Sequence, residues 1–383
     1  MFNRVSIYHN ILWSKYKGVV FTKVHSTSDR IGINVSFVQV AETEEQRVAI
    51  GNIDLSYHQY PYRLLFAGSY ESVPIWRRMF ALSSDLIRNP SELVVLPGYE
   101  HIEYWTMLLV CILLRRKRAV FCDSTVYDRP KNRLKEIAKG LFFRRCHGFF
   151  CYGSRSKEYV LSYGVEERRI RFRCQAAALP HGYDPARVIS EYRANVSKGS
   201  TASTFLYVGR LSIEKGLDDL LDAFSKVHAK LPETRLDLVG AGQLKEQLAA
   251  RVKQLGLEQS VTFLGPKNTE EIGRLFMNST ALVLPSHSEP WGLVVNESLS
   301  YGCPVVVSNV CGCVPELVLP GRTGYSYPVG DVAAMAQAML DVSHLSTDRV
   351  AVAQKCIDLI AGFSPDVAAS QILDGCARIL AET

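Results

Sequence analysis

The most apolar stretch of this chain is too short to cross a bilayer. The most apolar window, YWTMLLVCILL from Tyr104 to Leu114, would span only about 16 Å as a helix, against roughly 30 Å of hydrocarbon. Metal-ligand spacing is missing as well. The ten cysteines are scattered, and Cys311 and Cys313, one residue apart, make no paired motif. Reduced, mostly buried thiols of a cytosolic protein are the expectation, rather than a disulfide framework or a metal site. No secretory leader is visible before the strand-like RVSIYHNI at Arg4–Ile11, so the expected localisation is cytoplasmic, with the inner face of the cell membrane as a candidate surface. There is no nucleic-acid motif and no long basic tail, which argues against nucleic acid as a partner.

What the chain does have is size and an ordinary globular composition. Its 383 residues, 47% hydrophobic and 21% charged, suit about two folded domains. Charge is divided unevenly. Residues 1–180 carry 27 Lys plus Arg against 16 Asp plus Glu, and the remainder 17 against 22. A basic first half suggests an anionic partner there. The run Arg115, Arg116, Lys117, Arg118 directly after the apolar window has two readings: a patch that docks on anionic lipid, or cations at the C-terminal end of a buried helix.

Short apolar runs alternate with helical patterns throughout. In the second half STFLYVGRL, TRLDLVGAG, SVTFLG, TALVLPS and PVVVSN read as buried strands, separated by segments such as KGLDDLLDAFSKVHAKL. The first half repeats the style more loosely, with VSIYHNI, NVSFVQVAE, ELVVLPG, RAVFCD and HGFFCYG. This is an α/β chain of two doubly wound, Rossmann-like domains facing across a cleft, with ligand expected at the C-terminal ends of the strands. The expected division is a first domain over 1–187, a linker over 188–203 around SKGSTAS, a second domain over 204–364, and a helix over 365–383 that returns to the first.

One segment, SHSEPWGLVVNESLSYGCPVV at 286–306, carries the chemistry. A buried strand at Ala281–Leu284 is followed by a loop bearing Glu289 and then a helix entered through Pro290 and Gly292. Glu297 sits about a turn inside that helix, leaning back toward its N-terminus. Backbone N–H groups around Gly292 and Leu293 make an anion site. Acceptors flanking an anion site suit a ligand with phosphates in its middle and hydroxyls at both ends, as a sugar nucleotide has.

The stretches YVGRLSIEKGLDDLLDAF, LDLVGAGQLKEQL, VTFLGPKNTEEIGRLF and the long segment LVLPSHSEPWGL to SYPVGD together resemble the donor domain of glycosyltransferase family 4. That family is retaining, has the GT-B fold, and is marked by a Glu, seven residues and a second Glu, matched here by Glu289 and Glu297. The resemblance is strong over about 203–345 and rests on element order over 1–180. It implies that Glu297 accepts hydrogen bonds from ribose hydroxyls, that Glu289 lies near the donor sugar, and that Arg210 and Lys215 hold the diphosphate. Gly240, Trp291, Gly292, Leu293 and Val294 would complete the nucleotide-sugar site. The basic first half makes a saccharide or lipid-linked saccharide the expected acceptor. No cofactor is expected, and no metal either, since the chain has no Asp-any-Asp triplet. A sugar-nucleotide epimerase and a catalytically silent binding subunit are the rival readings.

Other positions stay open. Gly240 and Gly242 permit close approach of a ligand or serve an ordinary strand-to-helix turn. Glu316 matches the family's Pro-Glu, or is a helix N-terminal charge. The family's glycine-rich loop after the first strand is reduced to SKYKGVVF, leaving Gly18 with Lys17 as an added cation. Asp123 orients a hydroxyl of donor or acceptor, or caps a turn. His101 faces the cleft, or merely starts a helix.

Overall fold

The computed structural model describes residues 3–48, 53–127, 133–197 and 204–382. Two parallel sheets form, one in each of two compact units: Met1–Ala178 with Ser364–Thr383, and Leu179–Phe363. In the first unit β1 (Asn3–Ile11), α1 (Lys15–Ser28), β2 (Ile33–Ala41), α2 (Glu45–Val48) and β3 (Tyr62–Leu64) come first. They are followed by α3 (Ile75–Arg88), β4 (Leu93–Leu96), α4 (Ile102–Leu113), β5 (Lys117–Cys122), α5 (Arg133–Arg144), β6 (Gly148–Cys151), α6 (Ser154–Leu161) and β7 (Ile170–Arg171). Its strand order is β3-β2-β1-β4-β5-β6-β7, so the direction of progression reverses between β1 and β4.

Both faces of this sheet are covered, which is why strands such as Leu93–Leu96 are apolar at every position. On one face Val20, Phe21 and Val24 of α1 pack with Ala369, Ile372 and Cys376 of the C-terminal helix. A Cβ at Gly148 would come within 2.3 Å of Ile379 Cδ1, so glycine lets that helix lie directly on β6. The other face is packed by Leu82 and Leu86 of α3, Met107 and Cys111 of α4, and Phe142 and Phe143 of α5. All ten cysteines are buried free thiols.

The second unit contains α7 (Pro185–Ser197), β8 (Thr204–Val208), α8 (Leu217–Lys230), β9 (Arg235–Val239), α9 (Lys245–Gln254) and β10 (Val261–Gly265). Then come α10 (Thr269–Asn278), β11 (Ala281–Leu284), α11 (Leu293–Ser300), β12 (Val305–Ser308), α12 (Val314–Leu317), β13 (Gly324–Tyr327), α13 (Val332–Leu345) and α14 (Arg349–Ile360). The strand order is β10-β9-β8-β11-β12-β13, with the reversal between β8 and β11. The run Arg349–Ala381 is long and apolar enough to span a membrane, but it is two helices. A 3-10 turn at Ala361–Phe363 ends α14, and Ser364 Oγ accepts from the Val367 N–H at 3.3 Å to start α15 (Pro365–Ala381).

Two expectations are corrected here. The first part of the expected linker is helix α7, whose Val188, Ile189 and Tyr192 are buried in the second unit. Tyr192 OH donates to Tyr301 O at 3.1 Å. The polar side chains on its outer face had masked a helical stripe. The rest, 198–203, lies outside the described residues. The basic run after α4 is not one patch either. Arg115 takes a left-handed φ of 55°, and the Arg116 N–H closes on Cys111 O at 2.8 Å, a Schellman ending. Arg116 then donates to Leu86 O at 2.5 Å, Lys117 to Leu380 O at 3.0 Å, and Arg118 to Arg116 O at 2.8 Å and Arg145 O at 2.5 Å. Only Arg115 is exposed, because helix and strand ends in need of donors take up the other three.

Candidate active site

The reversal point of the second sheet is where an open α/β sheet leaves a crevice outside its strand ends. The chain leaves β8 through Gly209, and the Gly209 N–H binds Val239 O at 3.0 Å. Lys215 follows in a 3-10 turn that opens α8 through Gly216, at a φ of 65°. A Cβ on Gly216 would stand 2.2 Å from Pro285 O. Glycine thus lets this turn press against the exit of β11, where the His287 N–H donates to Glu214 O at 2.8 Å. Lys215 Nζ reaches across to Glu289 Oε2 at 2.5 Å, with the two side chains 14% and 17% exposed.

Around this pair the polar groups are already connected. Arg210 pairs with Glu214 at 2.8 Å in a largely solvated contact. Ser212 Oγ donates to Glu214 Oε1 at 2.7 Å, and His287 Nε2 lies 2.8 Å from Asp219 Oδ2. Tyr207 OH donates to Arg210 O at 2.6 Å. Burial, and next the charge of Glu289, push that phenol well above its ordinary pKa, so Tyr207 is a fixed donor that holds the Arg210 main chain.

Helix α11 begins at Gly292, whose φ of 98° only glycine adopts readily. A Cβ there would lie 3.5 Å from Glu289 Cγ, so the Glu289 side chain crosses over the helix start. Leu293 and Val294 form its half-buried first turn, with N–H groups that have no intrahelical acceptor. Glu297, the fifth helical residue, is half-buried as well. The Trp291 side chain does not line the crevice. That indole is 3% exposed, turned inward, and donates from Nε1 to Asn296 Oδ1 at 2.8 Å.

Three residues that the sequence reading did not single out hold this loop. The N–H groups of Gly312 and Cys313 bind Glu289 O and Trp291 O, each at 3.0 Å. Ser308 Oγ donates to Ser286 O at 2.5 Å. A Cβ on Gly312 would sit 1.8 Å from Pro290 O. The only sequence signal for it was a glycine between two cysteines. Gly240 and Gly242 prove to serve chain packing: their Cβ atoms would strike Gly209 O at 1.9 Å and Leu211 O at 2.2 Å. Glu316 lies in the first turn of the short α12.

In the first unit the expectations divide. Gly18 is buried in α1, where a Cβ would meet Tyr57 O at 2.8 Å and the His58 ring at 2.9 Å. That glycine makes room for a loop. Lys17 is buried too, its Nζ 4.1 Å from the centre of the Phe121 ring and 4.8 Å from that of Tyr152. Burial lowers this amine to about 8, while Cys174 and Asp123 pull the other way. Asp123 follows β5 half-buried. His101 is exposed at the start of α4, its ring 5.4 Å from Tyr70 and 5.3 Å from Tyr104. It lines a cavity of about 320 Å³ with Asn10, Glu44, Glu71 and Arg78, at the C-terminal ends of β1, β2 and β4. Among the described residues no group of three or more His, Cys, Asp or Glu side chains is placed to hold a metal.

Each unit is a doubly wound α/β domain whose parallel sheet reverses direction once, and solved structures of glycosyltransferases share this fold. A lipopolysaccharide outer core galactosyltransferase, WaaB, superposes with a TM-score of 0.69 at 18% identity, over 98% of this chain and 99% of that one. Anabaena HepE in complex with UDP-glucose gives 0.70 at 16% identity, over 98% and 99%. Residues 188–356 match the family described as Glycosyl transferases group 1. Among curated relatives, glycogen synthase of Mycobacterium tuberculosis (strain CDC 1551 / Oshkosh) is 37% identical over 258 residues, 64% of this chain. The chain spans 60% of that relative's length.

Proposed function

We propose that the protein is a retaining glycosyltransferase that moves a sugar from a nucleoside-diphosphate sugar, UDP- or GDP-linked, to an acceptor hydroxyl. The observation that carries this reading is the Lys215–Glu289 pair at the sheet reversal, set against the open N-terminus of α11. HepE, solved in complex with UDP-glucose, supports a nucleotide-sugar donor. In this reading Glu297 accepts both ribose hydroxyls, as an acceptor-only carboxylate can. The diphosphate lies on the α11 N–H groups. Lys215 has three N–H donors and gives one to Glu289, which leaves it able to bind phosphate oxygen while Glu289 fixes its direction. Arg210 exchanges a solvated partner of about 0–1 kcal/mol for a phosphate.

The bond between the anomeric carbon and the diphosphate oxygen breaks with negative charge growing on the leaving group. Lys215, Arg210 and the helix start stabilise that charge more in the transition state than in the ground state. The acceptor is a saccharide or lipid-linked saccharide of surface polysaccharide synthesis, met at the cytoplasmic face of the membrane, with His101 and Asp123 as candidate contacts in the first unit. Phosphate charge is met by cations of the chain, so transfer is expected to persist in chelator. A thermal-shift panel of nucleoside diphosphates tests the reading: the right ligand at 100 times its Kd adds about 2.7 kcal/mol. Glu297→Gln should weaken that ligand roughly 10- to 150-fold, the value of charge-assisted bonds of about 1.5–3 kcal/mol. A panel with no responding nucleotide, or an unchanged affinity in the variant, would contradict it.

A further inference from the structure

The outer surfaces of α3, α4 and α5 are unusual for a folded domain. More than half of the large exposed hydrophobic side chains among the described residues sit on these three helices. The helices pack on one face of the first sheet, with α4 and α5 joined by Trp105 and Phe142 at 5.1 Å. On α3 the stripe is Trp76, Phe80 and Ile87; Trp76 is 69% and Phe80 72% exposed. On α4 it is Ile102, Leu109 and Leu113, at helical spacing, and on α5 it is Leu134, Ile137 and Leu141. A surface of this extent marks an interaction site.

The charged side chains that the helices themselves expose are of one sign, while Glu71 and Glu100 are exposed just ahead of α3 and α4. Arg77, Arg88, Arg115, Arg144 and Arg145 are exposed on these helices or just past their ends. Each helix also has a carboxylate, and each is engaged by a partner. Asp85 takes Tyr8 OH at 2.6 Å and Arg63 at 2.9 Å. Glu103 takes Tyr70 OH at 2.5 Å and Arg78 at 2.8 Å. Glu136 binds Lys139 at 3.0 Å and Tyr163 OH. Exposed carboxylates are thus absent from all three helices among the described residues, and the charges on the helices' own outer surface are cations.

We propose that this three-helix face docks the protein on an anionic lipid bilayer. Apolar side chains enter the boundary region while arginine stems follow them and leave their guanidinium groups at lipid phosphates. A second copy of the chain is the poorer occupant, since pairing two such faces brings arginine against arginine. The docking surface supersedes the run at 115–118, of which Arg115 alone takes part. It rests on the membrane-contact part of the proposed function and on none of its donor chemistry. Ile75, at the start of α3, also lines the cavity that holds His101, so a head group at this face lies beside that cavity.

The test is flotation of the full chain with vesicles of phosphatidylcholine alone or mixed with phosphatidylglycerol, at low and high salt. Binding should be at least about tenfold tighter to the anionic vesicles and weaken with salt. Changing Trp76, Phe80, Leu109 and Leu113 together to Ser should abolish it. Changing Arg77, Arg88, Arg144 and Arg145 to Gln should weaken it on the order of 100-fold. The arginine variant leaves apolar packing untouched and keeps the test decisive if the serine variant misfolds. Equal binding to both vesicle types, no binding by the wild type, or unaltered binding by the arginine variant would overturn the proposal. So would a dimer in sedimentation velocity that the serine variant dissolves, which would assign the face to a second copy. Thermal shift by UDP on the same samples separates the two readings: lost vesicle binding with an intact UDP shift removes the platform and leaves the donor site standing.

Discussion

Lys215 and Glu289, 74 residues apart in the chain, meet at 2.5 Å across the reversal of the second sheet. Neither side chain is more than 17% exposed, so the pair is neither a freely solvated contact nor one cut off from a bound ligand. Removing one partner strands a charge that is mostly out of water. Glu289→Gln should therefore lower kcat by about 10- to 1,000-fold, since Lys215 loses both direction and part of its anchoring. A double-mutant cycle with Lys215→Met should show a coupling of about 1–3 kcal/mol in kcat/KM. Additive effects would mean that the two residues act separately.

Acid should unfold the first unit before the second. Burial lowers His58 to about 4, and burial followed by the Lys17 charge lowers His9 to about 3, from an ordinary value of 6.5. His9 Nδ1 is within 2.9 Å of Ile11 O, and His58 Nδ1 within 2.9 Å of Tyr60 OH. As pH falls through 6.5 the unfolded chain takes up both protons and the folded chain does not. This stability is full above about pH 6.5 and is lost progressively toward pH 3, on the order of 3 kcal/mol for His58 alone. Lys17 acts at the other end. With its amine at about 8 instead of 10.5, the unfolded chain holds an extra proton between those values, so stability rises with pH across that window. Urea midpoints from pH 4 to 10 check both limbs. His58→Phe should flatten the acid one, and Lys17→Met the alkaline one.

The sheets and the loop that carries Glu289 were legible because local signals agreed there. Ala281–Leu284 is a run of buried apolar residues, and Gly292 and Gly302 bracket α11, which spans Leu293–Ser300. The fates of Trp291, Gly18 and Lys117 were not legible. Each depends on a partner far away in sequence: a pocket closed by Phe363, a carbonyl at Tyr57, a helix end at Leu380. Helix α7 was missed for another reason, as its buried stripe of Val188, Ile189 and Tyr192 is short beside its polar residues.

Gly312 offers a test of how the Glu289 loop is held. Its φ is not in the left-handed range, so backbone conformation alone would tolerate alanine. The added Cβ would nevertheless sit 1.8 Å from Pro290 O. Either the loop shifts or the bond from the Gly312 N–H to Glu289 O breaks. Gly312→Ala should cost about 1–3 kcal/mol of stability, in the range of overpacking, and lower donor affinity even in molecules that remain folded. A variant that melts early but binds nucleotide with wild-type affinity would show that this loop does not set the donor site.

The stereochemical outcome depends on which groups remain available for proton transfer. An inverting enzyme needs a general base beside the acceptor hydroxyl, opposite the leaving group. Glu289 is already engaged with Lys215, and in the proposed reading Glu297 is committed to ribose. Each is occupied by the partner it holds and so is not free beside the acceptor hydroxyl. With the donor-side carboxylates so occupied, the departing diphosphate oxygen is the acceptor for the incoming proton, and it lies on the face the sugar is leaving. The product should keep the anomeric configuration of the donor. Asp123→Asn should slow transfer without changing that configuration, since Asp123 orients a hydroxyl and does not take its proton. Proton NMR of the first-formed product gives the anomeric coupling directly. An inverted coupling would instead assign the base to the first unit, with Asp123 and His101 as the residues to replace next.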